Sequence, residues 1–291
     1  MKKNNSLTLI FGAYHSHKHI YRICRNINKK FKIIVIENSL DKKFKKDIEN
    51  KYKNTKVIIP DKNVGLAKSY NIGIKNSKTK YVYLNCPDMD ISNKSLDELI
   101  DCANKLKKFG ILAPNYKDNS IYNNYIGDEY VLKKKPRNIS KYKLKKVDFV
   151  DNSFFIETKK AKKYLFDENY FLYFETMDFC FKLKKFNEPI YLSEKIKFKH
   201  YGSQSVASKY SYISKLTRAW HYNWGKFYYC KKNISYLYGI KRIKVNIISA
   251  IRRCIYNLLR LKFKDCYLNS IELYGIFSSL FLLKSFYRPK K

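Results

Sequence analysis

Short apolar segments alternate with helical patterns through the first 115 residues, and this alternation restricts the fold more than any other feature. Residues 7–11, 33–36, 56–59 and 81–84 are mostly apolar, aromatic or β-branched, as expected of strands buried in a parallel sheet. A stretch with helical spacing of its apolar residues follows each of them. The sequence therefore predicts an α/β fold, with a Rossmann-like, mostly parallel central sheet flanked by helices.

The rest of the chain is predicted to add strands and then to become helical. Further strands are expected at 111–113, 147–156, 189–192 and 196–198, and a further helix at 176–185. Residues 116–145 are polar, tyrosine-rich and basic, which favours a long loop or a short hairpin. From about residue 208 the pattern is helical and basic. We predict an α/β domain at 1–207 and a basic helical region at 208–291.

The charge of the chain points to an anionic partner. Among 291 residues the formal net charge is +37, and no Asp or Glu lies between Lys195 and Lys264. Such a charge is typical of proteins that bind nucleic acid, an anionic membrane surface or phosphorylated substrates. The seven cysteines are scattered and form no Cys-x-x-Cys pair, which argues against a disulfide framework or zinc site and indicates a reducing cytoplasm.

Two carboxylates follow the strand predicted at 81–84. Pro87 ends the strand because proline lacks an N–H, and Asp88 and Asp90 come next. In an open α/β sheet the carboxyl ends of the strands are where ligands bind. Two hard oxygen ligands at this spacing can hold Mg²⁺ or Mn²⁺ against a diphosphate. The alternative is an acidic turn that caps the next helix.

Two further polar features lie at predicted strand ends. Glu37 begins a Glu-Asn-Ser sequence, where an acid can accept hydrogen bonds from a nucleobase or ribose, or can cap a helix. The segment from Asn63 to Gly73 places a glycine turn before a helix. There Gly65 permits close backbone approach, the helix N-terminus favours an anion, and Lys68 can reach a phosphate.

A later pair of carboxylates and a histidine complete the candidate residues. Glu175 and Asp178 are three residues apart, so they share one face of the predicted helix. His200 closes the last predicted strand and precedes Gly202. It is either a surface histidine or a ligand for a metal or diphosphate.

Together these motifs resemble the family 2 inverting glycosyltransferases, in the rhamnosyltransferase-like branch that builds bacterial surface polysaccharides. Five motifs occur in the family's order across residues 7–205: Glu37-Asn38-Ser39, Asn63 to Gly73, Asn85 to Asp90, Phe171 to Lys182, and His200 to Ser205. The resemblance covers about two thirds of the chain and weakens beyond Ser208.

The resemblance implies a GT-A catalytic domain at 1–207 that binds a nucleotide-sugar donor and a divalent metal, Mg²⁺ or Mn²⁺. It implies a nucleotide-sugar-binding set of Ala13, Tyr14, Glu37, Asn38, Asn63, Gly65, Lys68, Asn85 and Asp88. It implies metal ligands at Asp88, Asp90 and His200. The reaction is hexosyl or rhamnosyl transfer by single displacement, in which a carboxylate deprotonates the acceptor hydroxyl and the metal neutralises the departing diphosphate.

The sequence departs from the family pattern at four positions. Glu37 stands where the family prefers Asp, and Lys182 replaces an Arg. Cys86 lengthens the Asn-Pro-Asp signature, which leaves open which of the two following aspartates binds metal. Thr176 replaces the usual catalytic base, so the base is Glu175 or Asp178, or the protein is an inactive scaffold.

The C-terminal region contains a basic amphipathic helix. Its apolar stripe is Ile240, Ile243, Ile247, Ile251, Cys254, Leu258 and Leu261, with basic residues off the stripe. This pattern is typical of an interfacial membrane segment, and the alternative is a helix packed on the catalytic domain. The apolar segment at 273–283 is too short to span a bilayer.

The sequence thus predicts an inverting glycosyltransferase of cell-surface polysaccharide synthesis, acting on a glycan or lipid-linked acceptor. It is expected in the cytoplasm, peripheral to an anionic membrane surface at the inner face of the cytoplasmic membrane. Two alternatives remain: an inactive membrane-associated GT-A scaffold, and a nucleic-acid-binding protein, although no recognised nucleic-acid motif is present. The donor sugar and nucleobase are not encoded in any recognisable pattern.

Overall fold

The computed structural model describes residues 6–116, 142–151, 153–201 and 210–289. The chain divides into two compact units. Unit 1 is Met1–Phe166 with Phe179–Val206, and unit 2 is Asp167–Asp178 with Ala207–Lys291. Unit 2 therefore includes a twelve-residue segment from the middle of the sequence, which the expected division at residue 207 does not anticipate.

Unit 1 is built on one mixed sheet. Its described strands are β1 (Leu7–Ala13), β2 (Lys32–Glu37), β3 (Thr55–Ile58), β4 (Tyr81–Asn85), β5 (Met89–Asp90), β6 (Ile111–Tyr116), β7 (Leu144–Val147), β8 (Phe154–Glu157) and β9 (Ile190–His200). They are ordered β3-β2-β1-β4-β8-β6-β9-β5, with β7 paired to β9. The predicted α/β class is confirmed.

The half of the sheet formed by β3, β2, β1 and β4 is parallel. The central strands β1, β2 and β4 are buried along almost their whole length, which explains their continuous apolar sequences. Because these strands run in the same direction, Ala13, Glu37 and Asn85 all lie at one edge of the sheet.

The other half of the sheet corrects two expected strand assignments. Residues 147–156 form not one strand but β7 and β8, separated by a connection in which Phe149 and Val150 are still fully buried. The strands expected at 189–192 and 196–198 are one continuous β9. Its register against β6 shifts after Pro114, and the polar residues between the two apolar runs lie at that irregularity.

The helices of unit 1, together with α6, which begins in unit 2, follow the sequence pattern except for α5, which was not predicted. They are α1 (His17–Asn26), α2 (Lys42–Lys51), α3 (Gly65–Asn76), α4 (Asn93–Lys105), α5 (Thr158–Tyr164) and α6 (Glu175–Lys185). Asp41 caps α2 by accepting from the Phe44 N–H at 2.8 Å, and Ser92 caps α4. Helix α1 covers the sheet with Ile20, Ile23 and Cys24, as their spacing predicts.

The described part of unit 2 contains three long helices, α7 (Ser211–Asn233), α8 (Tyr236–Leu259) and α9 (Phe263–Leu280). Phe227, Ile243 and Ile276, one from each helix, form a buried cluster, with Ile240 and Ile247 packed against it. The backbones of α7 and α9 approach closely, because a Cβ atom on Gly275 would lie 2.4 Å from the Trp220 carbonyl oxygen.

This packing corrects the interpretation of the α8 stripe. Its N-terminal half, which includes Ile243, is not a free membrane-facing surface but packs on α7 and α9 within unit 2. Within the described ranges, no helix has both the length and the apolar composition required to cross a bilayer.

Candidate functional site

The ends of β1 and β2 form the first part of the candidate site in unit 1. Ala13 pairs with Glu37 in the parallel ladder, and the Asn38 N–H donates to the Ala13 carbonyl at 2.8 Å. Tyr14 follows directly and is half-buried. The structure thus brings together four residues of the predicted nucleotide-binding set, at the sheet edge where ligands of α/β folds bind.

Glu37 is fully buried and is held by two neighbours. Its Oε1 accepts from the Ser39 N–H at 2.7 Å, and its Oε2 lies 3.5 Å from Nε2 of His17. The hydrogen bond to Glu37, together with the negative charges of Glu37 and Asp41, raises the pKa of His17 although burial opposes the shift. A carboxylate buried beside an imidazole is a polarised pair that can accept from, or donate to, a heterocyclic ligand.

Asn38 and Asn63 shape the loop before α3. The Asn38 side chain donates to Ser69 Oγ at 2.9 Å and accepts from the Val64 N–H at 3.0 Å. Asn63 Oδ1 accepts from the Gly65 N–H at 3.1 Å. Gly65 has a φ of 76°, a left-handed conformation that favours glycine. These two asparagines therefore position the N-terminus of α3, on whose first turn Lys68 is exposed.

Asn85 and Asp88 lie at the end of β4. Asn85 is fully buried; its Oδ1 accepts from the Cys86 N–H, whereas its Nδ2 has no hydrogen-bond partner within the described part of the chain. A turn follows, in which Asp88 is 2% exposed and its carbonyl accepts from the Tyr201 N–H. A buried amide donor that the described residues leave unpaired indicates a ligand-binding position at this strand end, because buried polar groups are normally paired.

Asp88 meets His200 across a contact between residues 112 positions apart in sequence. Strand β5 pairs antiparallel with the end of β9, so Met89 lies opposite His200, and His200 Nε2 is 3.5 Å from Asp88 Oδ1. Burial by itself lowers the pKa of His200, but the hydrogen bond and charge of Asp88, with the charge of Asp151, outweigh it and raise that pKa.

Asp90 does not join this pair. Met89 points into the core, so the next residue of β5 faces outward and Asp90 is exposed, opposite Lys199. Across the described ranges, no three His, Cys, Asp or Glu side chains are grouped closely enough to hold a metal ion. The structure therefore brings together two of the three predicted metal ligands, Asp88 and His200.

The chemistry of this pair fits a divalent cation that is shared with a substrate. Two protein ligands at about 2.1 Å from one ion can be as far apart as about 4.2 Å, and the atoms here are 3.5 Å apart. Mg²⁺ and related ions are commonly held by one or two carboxylates plus substrate phosphates, and imidazole extends the set towards transition metals such as Mn²⁺.

Three residues near the pair were not predicted from the sequence. Arg22 of α1 donates to the Met89 carbonyl at 3.1 Å and lies over the Tyr201 ring, which fixes β5 against β9. The Tyr116 ring lies 5.1 Å from the His200 ring. Asp151 is close enough for its charge to raise the pKa of His200. Asp151 lies just before β8, and the antiparallel pairing of β8 with β4 brings this residue to the same edge of the sheet. Its place before a predicted strand is the sequence feature that could have identified it.

Glu175 and Asp178 belong to unit 2, where Asp178 is engaged in an ion pair. Lys232 Nζ lies 2.8 Å from the Asp178 carboxylate, and Asn233 Nδ2 donates to Asp178 Oδ1 at 2.8 Å. The same ammonium group contacts Asp167 at 2.7 Å. Asp178 thus ties the start of α6 to the end of α7, and both of its oxygens are occupied.

The segment before Glu175 has an unusual backbone. Tyr173 and Phe174 have φ values of 69° and 65°, a left-handed conformation that is rare for bulky residues and often marks a functional position. Phe174 packs against Gly225 of α7, where any Cβ would meet its ring at 2.9 Å. Glu175 itself is 1% exposed, and Thr176 is 4% exposed.

Solved structures resemble this chain, whereas the sequence comparisons found no match. No protein-family model matches the chain, and no curated protein sequence matches it. GalNAc-T7, solved with UDP, GalNAc and Mn²⁺, matches with a TM-score of 0.57 and 12% identity over 79% of this chain and 52% of that one. The present chain therefore spans about half of the GalNAc-T7 chain.

Two other structures match over most of their length. The mannosyltransferase PcManGT from Pyrobaculum calidifontis, in complex with GDP-Man and Mn²⁺, has a TM-score of 0.55 at 9% identity, covering 94% of this chain and 86% of its own. S. aureus TarS, residues 1–349, has a TM-score of 0.52 at 16% identity, covering 97% and 93%. All three have the GT-A fold, and the chain adopts that fold.

Proposed function

We propose that this protein is a glycosyltransferase that moves a sugar from a nucleotide-diphosphate donor to a glycan or lipid-linked acceptor. The observation that carries the proposal is the buried Asp88 carboxylate beside His200 at the carboxyl edge of a GT-A sheet. The ordered motifs of family 2 support it, as do two of the structural neighbours, GalNAc-T7 and PcManGT, which were solved with UDP or GDP-Man and Mn²⁺.

Donor binding is assigned to the sheet edge of unit 1. Glu37 with His17 is proposed to recognise the nucleobase or ribose, and the N-terminus of α3 with Lys68 to attract the diphosphate. Asp88 and His200 would hold a divalent ion, Mg²⁺ or Mn²⁺, and Asn85 Nδ2 is available to donate to a donor oxygen. When bound, such an ion neutralises the departing nucleotide diphosphate.

The general base is proposed to be Glu175. A base must accept a proton from the acceptor hydroxyl as that hydroxyl attacks the anomeric carbon. Both oxygens of Asp178 already accept hydrogen bonds, from Lys232 and Asn233, whereas Glu175 follows the left-handed Tyr173-Phe174 backbone. Single displacement then inverts the anomeric centre. Hexosyl or rhamnosyl transfer in surface-polysaccharide synthesis remains the proposed reaction.

The test has two steps: a thermal-stability screen that finds the donor, and activity measurements on three variants with that donor. Nucleotide sugars are added with Mn²⁺ or Mg²⁺; a donor present at 100 times its Kd raises apparent stability by about 2.7 kcal/mol. Metal-dependent donor hydrolysis or transfer is then measured for Asp88→Asn, His200→Gln and the exposed control Asp90→Asn. We expect roughly a hundredfold loss in the first two, comparable with removal of one strong transition-state contact, and little change in the control.

Two outcomes would overturn parts of this proposal. Retained turnover in both Asp88→Asn and His200→Gln contradicts the metal assignment. If a nucleotide sugar binds but the protein turns over none of those tested, the second candidate function is favoured, an inactive GT-A scaffold. The specific observation behind this candidate is Thr176 at the usual base position.

We also propose a peripheral location at the inner face of the cytoplasmic membrane, where lipid-linked acceptors are reached. The uneven distribution of the +37 charge supports it, since residues 196–263 contain no Asp or Glu. Release of the protein from isolated membranes by high salt, without detergent, is the expected behaviour.

A further inference from the structure

The turn between α8 and α9 exposes an unusual group of large apolar side chains. We name residues 255–264 the α8–α9 tip. Leu259, Leu261 and Phe263 are 79%, 72% and 62% exposed, and Ile255 and Leu258 exceed half. Single exposed apolar residues are ordinary on protein surfaces, but a contiguous group indicates an interaction site.

A second exposed stripe runs along α8 towards the tip. Leu237, Ile248, Ile251 and Ile255 are exposed. With Lys241 and Lys244 they recur at four- and three-residue spacing, so they share one side of the helix. The packed side is different, since Ile243 and Ala250 are buried. Helix α8 therefore has two apolar sides, and unit 2 itself covers only one of them.

The charged residues of α8 and of the tip itself are all basic. Residues 236–264 contain eight Lys or Arg and no Asp or Glu. Arg253 is paired with Glu272. For Arg252, Arg260, Lys262 and Lys264, by contrast, the described residues provide no ion-pair partner. Apolar side chains alternate with these cations through the tip, from Leu259 to Lys264.

We propose that the exposed stripe of α8 and the α8–α9 tip dock on an anionic lipid surface, with the apolar side chains in the interface and the cations at the headgroups. The proposal rests on the peripheral location proposed above and identifies the surface responsible. Long Lys and Arg side chains can extend to headgroups while their stems lie beside apolar groups. Because no described helix can span a bilayer, the contact is interfacial.

A second copy of the chain is a less suitable occupant of the same surface. Pairing the stripe with itself would place Lys241 and Lys244 among apolar side chains of the partner, and like charges opposite one another cost free energy. An anionic bilayer instead neutralises the same cations, and each basic residue near such a surface raises affinity by about fivefold.

The experiment measures partition of the full chain onto vesicles. Phosphatidylcholine vesicles are compared with vesicles that contain about one third phosphatidylglycerol, by flotation at low and physiological salt. We expect binding only to the anionic vesicles, weakened by salt. The variant Leu259→Ser with Phe263→Ser is expected to lose at least tenfold in affinity, whereas the matched control Leu40→Ser with Phe186→Ser, exposed in unit 1, loses little.

A second pair of variants separates local charge from net charge. Gln replaces Arg252, Arg260, Lys262 and Lys264 in one variant. In its control, Gln replaces Lys29, Lys43, Lys75 and Lys78, which are exposed in unit 1. Both lose four charges, but we expect more than a hundredfold loss of affinity only in the first. Equal losses would overturn the proposal, because net charge alone would then explain binding.

Other outcomes are also decisive. Absence of wild-type binding to anionic vesicles, or unchanged binding of the Leu259→Ser, Phe263→Ser variant, contradicts the proposal. A wild-type dimer in sedimentation velocity that this variant dissociates would assign the surface to a second copy. Asp88→Asn is expected to float like the wild type, so failure of glycosyl transfer and failure of lipid binding are distinguishable.

Discussion

At the residue scale, different roles are proposed for the two carboxylates at the start of α6: Glu175 as the general base, and Asp178 as the partner of Lys232 and Asn233. Glu175→Gln is expected to lower kcat by about 10²–10⁴, the usual contribution of a general base, while the melting temperature and donor affinity change little. Initial rates and a thermal melt of the same preparation measure both effects.

Asp178→Asn is the matched variant, with the opposite expected pattern. It removes a charge that Lys232 and Asn233 contact, so we expect a loss of about 1–3 kcal/mol in the free energy of unfolding and a smaller effect on kcat. If Asp178→Asn abolishes turnover in a fully folded protein while Glu175→Gln stays active, the base is Asp178.

Local spacing alone predicted the candidate site only where its residues are close in the chain, and the grouping of His200 with Asp88 came from the family resemblance. Asn85, Asp88 and the glycine turn at Gly65 follow from strand ends and turn chemistry. The contact of Asp88 with His200 depends on pairing of β5 with β9, and the exclusion of Asp90 depends on which face of β5 is buried. Neither long-range pairing nor burial of one face is encoded in local spacing.

At the element scale, α7 is held to the C-terminal segment by a buried histidine that must stay neutral. Nε2 of His221 lies 2.9 Å from the Tyr287 carbonyl and 3.0 Å from Nη1 of Arg288. Its Nδ1 is buried, with no partner inside the described ranges. Burial, and then the positive charge of Arg288, lowers the pKa of His221 to about 3.

This environment predicts that acid destabilises unit 2. The unfolded chain binds a proton at His221 below about pH 6.5, whereas the folded chain does not until about pH 3. Stability from this group is therefore complete above pH 6.5 and falls as the pH decreases towards 3, by about 2 kcal/mol at pH 5.

Tryptophan fluorescence measures this effect selectively, because both tryptophans, Trp220 and Trp224, lie on α7 in unit 2. Urea unfolding at pH 7 and pH 5 is compared for the wild type and His221→Gln. The variant should be less stable at pH 7 and less sensitive to pH. Parallel losses in the two proteins would show that other groups cause the acid sensitivity.

Most helices and strands were predictable from the sequence, and the predictions that failed did so for physical reasons. Local periodicity located β1 to β4 and the helices α1 to α4. It failed for residues 147–156, because buried Phe149 and Val150 continue the apolar pattern through a connection that is not a strand. It also could not show which side of α8 is packed, since periodicity identifies residues that share a face but not what covers that face.

At the scale of the whole molecule, the net charge of +37 is compatible with several anionic partners, and salt dependence distinguishes them. We expect any binding of DNA or RNA to be non-specific. Such binding depends on release of counterions, so its affinity should fall by about 10³-fold or more between 50 and 200 mM salt and be independent of sequence. Fluorescence anisotropy with two unrelated oligonucleotides measures both properties.

Submicromolar, sequence-dependent binding at 150 mM salt would instead indicate a nucleic-acid function. A glycosyltransferase should turn over its donor equally well with and without the oligonucleotide at that salt concentration. The proposed donor site is formed mainly by buried strand-end residues, and Lys68 is the one exposed lysine assigned to it.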